Sequence, residues 1–247
     1  MSIKTSILNL VQTGYDLVLH FVAGLDDDAR TATGDEGLWS AKDHLAHIAA
    51  WQLHHLEPPP DETEYALTFH DVNAINAEIY AKHREQPWAD VLAAVRRAYE
   101  LETARLTALS DADLLANVAD PGHADRPAWR TTIGDHYTHV LMHLAQFHFD
   151  RQQRAQGLEY YRLMVDPLLA LDDSPGWRAL TLYNQACLYA LAGSPQEAIT
   201  VLRQALTLAP DLIPWSKEDP DLDSLRAAPA HLALMAEVDQ VQTPVQE

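Results

Sequence analysis

The sequence has little cysteine, glycine, phenylalanine or positive charge, and these shortages exclude several classes of protein. The single cysteine, Cys187, rules out an internal disulfide and any zinc site built mainly from thiolates. Its apolar surroundings in the sequence favour a small core residue over a nucleophile. Lys and Arg number 17 against 36 acidic residues, a net charge of −19. Such a chain repels phosphate backbones and anionic lipid surfaces, so we expect neither a nucleic-acid nor a membrane partner.

Long apolar runs and alternating β-branched residues are missing as well. No run of 18 apolar residues occurs, so the sequence predicts no membrane span. Near the start, Gln12, Asp16 and His20 interrupt the apolar positions, which fits an amphipathic helix better than a signal peptide. A cytoplasmic location is therefore expected. The lack of alternation predicts a chain without a sheet.

Histidine is the residue that the sequence has in excess, and its distribution is uneven. Of the 13 histidines, 12 lie within residues 1–157, and only His231 follows them. Helical periodicity also changes near this point. We therefore predict two domains, residues 1–157 and residues 158–247.

The first domain is predicted to be an all-α four-helix bundle. The second long helix begins at Ser40 and Asp43, which have the spacing of a capping box, and it ends before Pro58. The pattern of Thr132 and Asp135 predicts a second capping box at the start of the last long helix. The four long helices are expected at about residues 6–28, 40–57, 87–109 and 132–156, with a shorter helix at 72–83 and irregular chain at 61–69 and 118–130. Four long helices with one partly helical crossover are typical of a bundle.

The second domain has a different pattern of small residues. Ala186, Gly193, Ala198 and Ala205, with Pro210 after them, resemble one tetratricopeptide repeat, in which small residues let two helices approach closely. The fold class predicted for the whole chain is therefore a four-helix bundle followed by a tetratricopeptide-like helical hairpin. A single repeat cannot bury its own apolar face, so it should pack on the bundle or on another subunit. An incidental helical hairpin is the alternative.

A helical wheel of the last bundle helix separates an apolar face from a histidine stripe. At about 100° per residue, the stripe lies at the border of the apolar face. The apolar face comprises Ile133, Tyr137, Val140, Leu141, Leu144 and Phe147, and the stripe comprises His136, His139, His143, Gln146 and Asp150.

Three histidines have the spacing of a metal site. His139 and His143 are four residues apart, so their imidazoles project from one face about 6 Å apart along the axis and can chelate one ion. His47, at the edge of the second helix, is placed to be a third ligand if the two helices are neighbours. Three neutral imidazoles leave a coordination position open, as in catalytic zinc sites. Solvated or core-edge histidines are the alternative.

Three segments of the first domain resemble a known family. The segments Trp39–Trp51, Asp71–Tyr80 and Gly134–His143 are similar to those of the DinB/YfiT-like superfamily, and within it to the ClbS/DfsB branch of four-helix-bundle proteins. The resemblance covers about residues 1–155. It implies a divalent ion, zinc or nickel, held by one histidine of the second helix and an HxxxH pair of the fourth. These positions are His47, His139 and His143.

Neighbouring residues are assigned by their place beside these ligands. Trp51, Tyr80 and His44 are candidates for the wall of a substrate pocket, with aromatic or histidine core packing as the alternative. His44 is also a candidate to support a ligand, because metal-bound histidines usually donate their second N–H to a partner. His136 is the one candidate catalytic residue, through substrate contact or proton transfer.

The resemblance also implies a function. Members of this superfamily act as thiol-dependent transferases, isomerases and hydrolases, and the ClbS/DfsB branch includes a self-protection protein that opens an electrophilic cyclopropane. We therefore expect a metal-dependent hydrolase or transferase that acts on a small electrophilic metabolite, with water or a low-molecular-weight thiol as the nucleophile. The resemblance implies homodimers too. The alternative is a non-catalytic ligand-binding or adaptor protein that recruits a protein partner through the tetratricopeptide-like segment.

Overall fold

The computed structural model describes residues 2–32, 34–35, 37–57, 72–118 and 126–242. These residues are almost entirely helical, so the predicted all-α fold is confirmed. The stretch predicted to be irregular at 61–69 lies outside the described residues. The chain divides into two compact units, Met1–Tyr160 and Tyr161–Glu247. No helix in the described ranges combines the length and the hydropathy of a membrane-crossing segment.

The first unit is built from long helices joined by short ones. The predicted helix at 72–83 and the long helix that follows Pro87 have the expected bounds. The elements are α1 (Ile3–Gly24), α2 (Asp27–Thr31), α3 (Ala41–Leu56), α4 (Val72–His83), α5 (Trp88–Ala108), α6 (Asp111–Leu115), β1 (Asn117–Val118), β2 (Arg126–Pro127), α7 (Ala128–Ile133), a π-helix (Gly134–Thr138) and α8 (His139–Asp150).

Four rods surround the core of this unit: α1, α3, α5, and the continuous rod of α7, the π-helix and α8. Each rod contacts the next, so the apolar stripe of every helix faces its neighbours. Burying a side chain of this size contributes about 1.5–3 kcal/mol. The core residues with at most 1% exposure include Ile7, Leu45, Ile48, Val91, Leu106, Leu141 and Leu144.

The start of α3 is fixed by the predicted capping box. Ser40 Oγ accepts a hydrogen bond from the Asp43 N–H at 3.2 Å, and Asp43 Oδ2 accepts one from the Ser40 N–H at 2.9 Å. The same carboxylate oxygen accepts from the Gly34 N–H at 3.2 Å. Both cap residues are buried. Asp43 is therefore committed to the helix start and ties the preceding loop to it.

Two expectations about the last rod and the connection before it are wrong. The rod begins at Ala128 rather than Thr132 and ends at Asp150, and Thr132 Oγ1 instead accepts a hydrogen bond from Arg105 at 2.6 Å. A capping pattern is short enough to occur by chance inside a helix. The expected absence of a sheet also fails, because β1 and β2 form a two-residue antiparallel pair.

The second unit contains the remaining helices. They are α9 (Arg154–Leu169), which begins in the first unit, α10 (Pro175–Leu191), α11 (Pro195–Leu208), α12 (Ile213–Ser216) and α13 (Pro229–Gln242), with 3₁₀ turns at Pro210–Leu212 and Pro220–Leu225. Gly193 joins α10 to α11 with φ +68°, and the Ser194 N–H donates to the Tyr189 carbonyl at 2.8 Å. This is the glycine-dependent ending that lets a helix stop sharply before a second helix.

Candidate metal centre

The candidate centre lies between α3, which begins two turns before His47, and α8, whose first residue is His139. His47 is two turns into α3 and 3% exposed, and His139 and His143 lie one turn apart at the start of α8. The capping box sets the rotation of α3, and Leu45 and Ile48 in the core hold His47 toward α8. The three histidines selected by spacing therefore come together.

Their Nε2 atoms converge. His139 Nε2 lies 3.2 Å from His47 Nε2 and 2.9 Å from His143 Nε2. All three residues offer ligand atoms within 4.8 Å of one another. Among the described residues, no carboxylate or thiol belongs to this group.

The spacing fits a divalent ion. Nitrogen ligands bind zinc at about 2.0–2.1 Å, which for tetrahedral geometry separates them by about 3.3 Å. The two Nε2–Nε2 separations, 3.2 and 2.9 Å, are within about half an ångström of that value. An all-imidazole donor set suits zinc, nickel and other borderline transition ions.

Burial keeps the ligands in the neutral form that binds metals. It lowers the pKa of His47 to about 3 and that of His139 to about 4, with neighbouring histidines adding to the shift of His47. It also lowers the pKa of His143 well below its ordinary value, helped by His139 and His47. Near neutral pH all three imidazoles are therefore uncharged, so no proton has to leave before an ion binds.

Trp39 covers one side of the cluster, a role that the sequence analysis did not assign. Its ring lies 5.1 Å from the His47 ring and 5.9 Å from the His143 ring, between centroids, and is parallel to the latter. Arg151 donates a hydrogen bond to the Trp39 carbonyl at 3.0 Å and so fixes this position. The sequence feature that could have indicated this role is the position of Trp39 immediately before the capping box of Ser40 and Asp43.

Tyr80 and Trp51, the two aromatic residues assigned to a pocket wall, both lie near this centre. Tyr80 stacks on Trp39 at 5.9 Å between centroids, and its hydroxyl donates to the Gly34 carbonyl at 2.8 Å. Trp51 lies one turn beyond His47, 6.3 Å between ring centroids, and donates to Asn76 Oδ1 at 3.2 Å. Their role as a substrate wall stays a prediction.

His44, the third residue assigned to that wall, lies behind the ligands. It is 2% exposed, and its Nδ1 lies 3.1 Å from Nδ1 of His143. Burial, followed by the charge of Arg151, lowers the pKa of His44 to about 3.

His136, the candidate catalytic residue, does not belong to the group of three converging histidines, although it is near enough to His139 for its charge to act on the pKa of that residue. It lines a narrow, mostly apolar cavity with Gly14 of α1, Ile48 and Gln52 of α3, and Tyr99 of α5. His136 lies within the π-helix, whose turn is wider than that of the α-helix assumed by a helical wheel. The catalytic role of His136 stays a prediction.

A histidine–carboxylate pair lies farther along the same two rods. His55 Nδ1, two turns beyond His47 on α3, is 2.7 Å from Asp135 Oδ2 in the π-helix. This hydrogen bond is the main cause that raises the pKa of His55. The sequence predicts no role for His55, because its pairing with Asp135 depends on how the π-helix is rotated.

A second group of potential ligands, Cys187, Asp219 and Asp221, lies in the second unit. Burial, followed by the two aspartates, raises the pKa of the Cys187 thiol, which disfavours the thiolate needed for metal binding. Asp219 already accepts a hydrogen bond from the Tyr183 hydroxyl at 2.8 Å and from the Asp221 N–H at 3.0 Å. Cys187 and Asp219 are buried and Asp221 is exposed beside them, which agrees with the prediction that Cys187 is a core residue.

A helical bundle with three convergent histidines defines a class of proteins that can hold a divalent ion. The family model of the DinB superfamily matches residues 10–147, more than half of the chain, and the protein belongs to that superfamily. Metal binding is typical of the superfamily. The comparisons with curated proteins and with solved structures gave no match.

Proposed function

We propose that this protein is a metal-dependent enzyme that opens a small electrophilic molecule, either with water as a hydrolase or with a low-molecular-weight thiol as a transferase. The observation that carries the proposal is the convergence of the Nε2 atoms of His47, His139 and His143 in an uncharged cluster in which His47 is buried and the other two are partly buried. Zinc and nickel are the ions that the superfamily resemblance favours.

The ion supplies Lewis acidity, which polarises an electrophile or makes water or a thiol a better nucleophile near neutral pH. The protein chain supplies the ligands of the ion and the surroundings of the substrate. His47, His139 and His143 would hold the ion and would leave a coordination position free for a substrate or nucleophile. Trp39, which lies against His47 and His143, and Tyr80, which stacks on Trp39, would give that position apolar surroundings that disfavour bulk water and suit an uncharged substrate.

The reaction class is supported by the likeness of Trp39–Trp51 and Gly134–His143 to the ClbS/DfsB branch. That branch includes a protein that opens a strained ring in a reactive metabolite. The described residues around the ligands offer aromatic rings and neutral imidazoles, which match a small uncharged electrophile better than a phosphate or carboxylate substrate.

Metal content is the first test. Protein purified without added metal or chelator should contain about one equivalent of zinc or nickel, and His143→Ala should contain less than about a tenth of an equivalent. The matched control is His148→Ala, which removes a histidine of the same helix that bonds Gln153 instead. Wild-type protein with less than a tenth of an equivalent would contradict the proposal.

Conversion of a model electrophile is the second test. Styrene oxide reports both chemistries, because water opens its C–O bond to a diol and a thiol opens it to a hydroxy thioether. Both products keep every atom of the two reactants. We expect turnover by the wild type and by His148→Ala, and loss of turnover in His143→Ala and after chelation. The catalytic proposal would be rejected by equal turnover in the wild type, the chelated wild type, His148→Ala and His143→Ala, or by turnover in none of them.

We also propose that residues 158–247 form a tetratricopeptide-like segment. Its support is the pairing of α10 with α11 through Ala186, Ala198 and Ala205, each 0% exposed. A protein that recruits a partner through this segment and only captures a ligand in its bundle is the alternative function. It predicts that His143→Ala leaves ligand handling unchanged.

A further inference from the structure

His44 contacts the side of His143 that faces away from the other ligands. The His143 ring presents Nε2 to His139 at 2.9 Å and Nδ1 to His44 at 3.1 Å. If Nε2 binds an ion, the proton of this neutral imidazole must be on Nδ1. That N–H then points at the Nδ1 atom of His44, which has to accept it.

The acceptor requirement fixes the tautomer of His44 as well. With Nδ1 accepting, its own proton is on Nε2, and that nitrogen is buried without a hydrogen-bond partner among the described residues. The rings of Trp39 and Phe147 meet the His44 ring edge-on, at 5.4 and 6.2 Å between centroids. Leaving a buried N–H unpaired destabilises the folded state, a cost that a purely apolar residue at this position would avoid.

Metal-bound histidines usually donate their second N–H to a carboxylate, a backbone carbonyl or water. The nearest acidic residue in the sequence, Asp43, is committed to the capping box and accepts from Ser40 and Gly34. A neutral imidazole therefore takes the place that a carboxylate often occupies. A neutral acceptor donates less electron density through the ligand and leaves the ion a stronger Lewis acid.

We infer that His44 is the positioning residue of the centre: it accepts the Nδ1–H of His143 and holds the His143 ring with Nε2 directed at the ion. The inference rests on the proposed function, because it requires that His143 is a ligand. His44 itself touches neither the ion nor a substrate.

Variants at position 44 separate hydrogen bonding from packing. His44→Leu fills the space without an acceptor, whereas His44→Asn places an amide oxygen close to the position of Nδ1. Zinc affinity, measured by competition with a chromophoric chelator, should fall roughly 10–100-fold in His44→Leu, the usual effect of losing such a partner, and should stay within a few-fold in His44→Asn. The ligand-field absorption of Co²⁺-loaded His44→Leu should differ from the wild type, and that of His44→Asn should match it.

A measurement on the wild type tests the inference without any variant. Long-range ¹H–¹⁵N correlation spectra of the zinc-loaded protein should show the proton of His143 on Nδ1 and the proton of His44 on Nε2. A proton on Nδ1 of His44, or equal zinc affinity and identical Co²⁺ spectra in His44→Leu and wild type, would overturn the inference. Failure of the wild type to bind zinc, or unchanged binding in His143→Ala, would instead reject the proposed function.

Discussion

At the scale of single residues, burial decides what each histidine does. His47, His139 and His143 are neutral near physiological pH because they are removed from water. His55 has the opposite shift because a carboxylate accepts its N–H. A histidine side chain is thus a neutral potential metal ligand at position 47 and a readily protonated group two turns away at position 55.

The shift of His55 predicts a pH-dependent contribution to stability. Asp135 raises the pKa of His55, Glu102 acts in the same direction, and burial and Arg126 oppose them. A group whose pKa is raised on folding stabilises the folded state fully at pH values below its pKa in the unfolded chain, which is about 6.5 for histidine. This contribution to the free energy of unfolding is lost as the pH rises through the pKa of the group in the folded state. Replacing His55 with Gln should therefore lower the free energy of unfolding more at pH 5 than at pH 9. The extra cost is at most about 1 kcal/mol, since the pair is partly exposed.

Urea denaturation at the two pH values measures this difference. The neighbouring His54 is the control, because burial lowers its pKa and its contribution must change with pH in the opposite direction. A cost of His55→Gln that is the same at both pH values, or larger at pH 9, would show that the pair with Asp135 does not form.

At the scale of elements, the π-helix is the feature that organises the centre. It changes the rotation of the last rod between Ile133 and His139, so the residues before and after it face different neighbours. His136, within the π-helix, lines the cavity with residues of α1, α3 and α5, whereas His139 and His143, after it, converge with His47 of α3. α1 approaches this segment closely at Gly14, where a Cβ atom would overlap the carbonyl oxygen of His136.

The close approach at Gly14 predicts a large effect of a small substitution. Gly14→Ala must push α1 away from the backbone of the π-helix, because a carbonyl oxygen cannot rotate aside as a side chain can. We expect a loss of about 1–3 kcal/mol in the free energy of unfolding, or more if the rods cannot separate. The same variant should weaken zinc binding, since the π-helix leads directly into α8.

Gly24→Ala is the matched control for this substitution. It lies in the same helix, and a Cβ there would meet no atom of the described residues within 4 Å. Alanine should be neutral or stabilise by up to about 1 kcal/mol, because it restricts the unfolded chain. Equal effects of the two substitutions in thermal denaturation would mean that α1 does not contact the π-helix as described.

At the scale of the whole molecule, all three candidate ligands belong to one of the two compact units. His47, His139 and His143 lie within Met1–Tyr160, and the second unit has its own core around Ala186, Leu202 and Leu225. An ion that binds only the folded form stabilises that form by mass action, by about 2.7 kcal/mol at a concentration of 100 times Kd.

Hydrogen exchange can locate this stabilisation. Zinc at 100 times Kd should slow exchange about a hundredfold for amides of α3 and α8 that exchange through unfolding of the first unit. Amides of α10 and α11 should exchange at the same rate with zinc and with a chelator. Zinc should have no effect on either unit of His143→Ala. Equal slowing in both units would contradict a site confined to the first.

The sequence by itself determined the helical class, the helix at 72–83, the capping box of Ser40 and Asp43, and the choice of three histidines. These depend on local rules: periodicity, capping and the four-residue spacing of a helix face. Tertiary structure decided what spacing cannot encode. Packing placed His136 at a cavity between α1, α3 and α5, Trp39 over the cluster, and Nδ1 of His44 next to Nδ1 of His143. Each of these depends on how one rod rotates against another, and a helical wheel drawn for a single segment carries no information about that rotation.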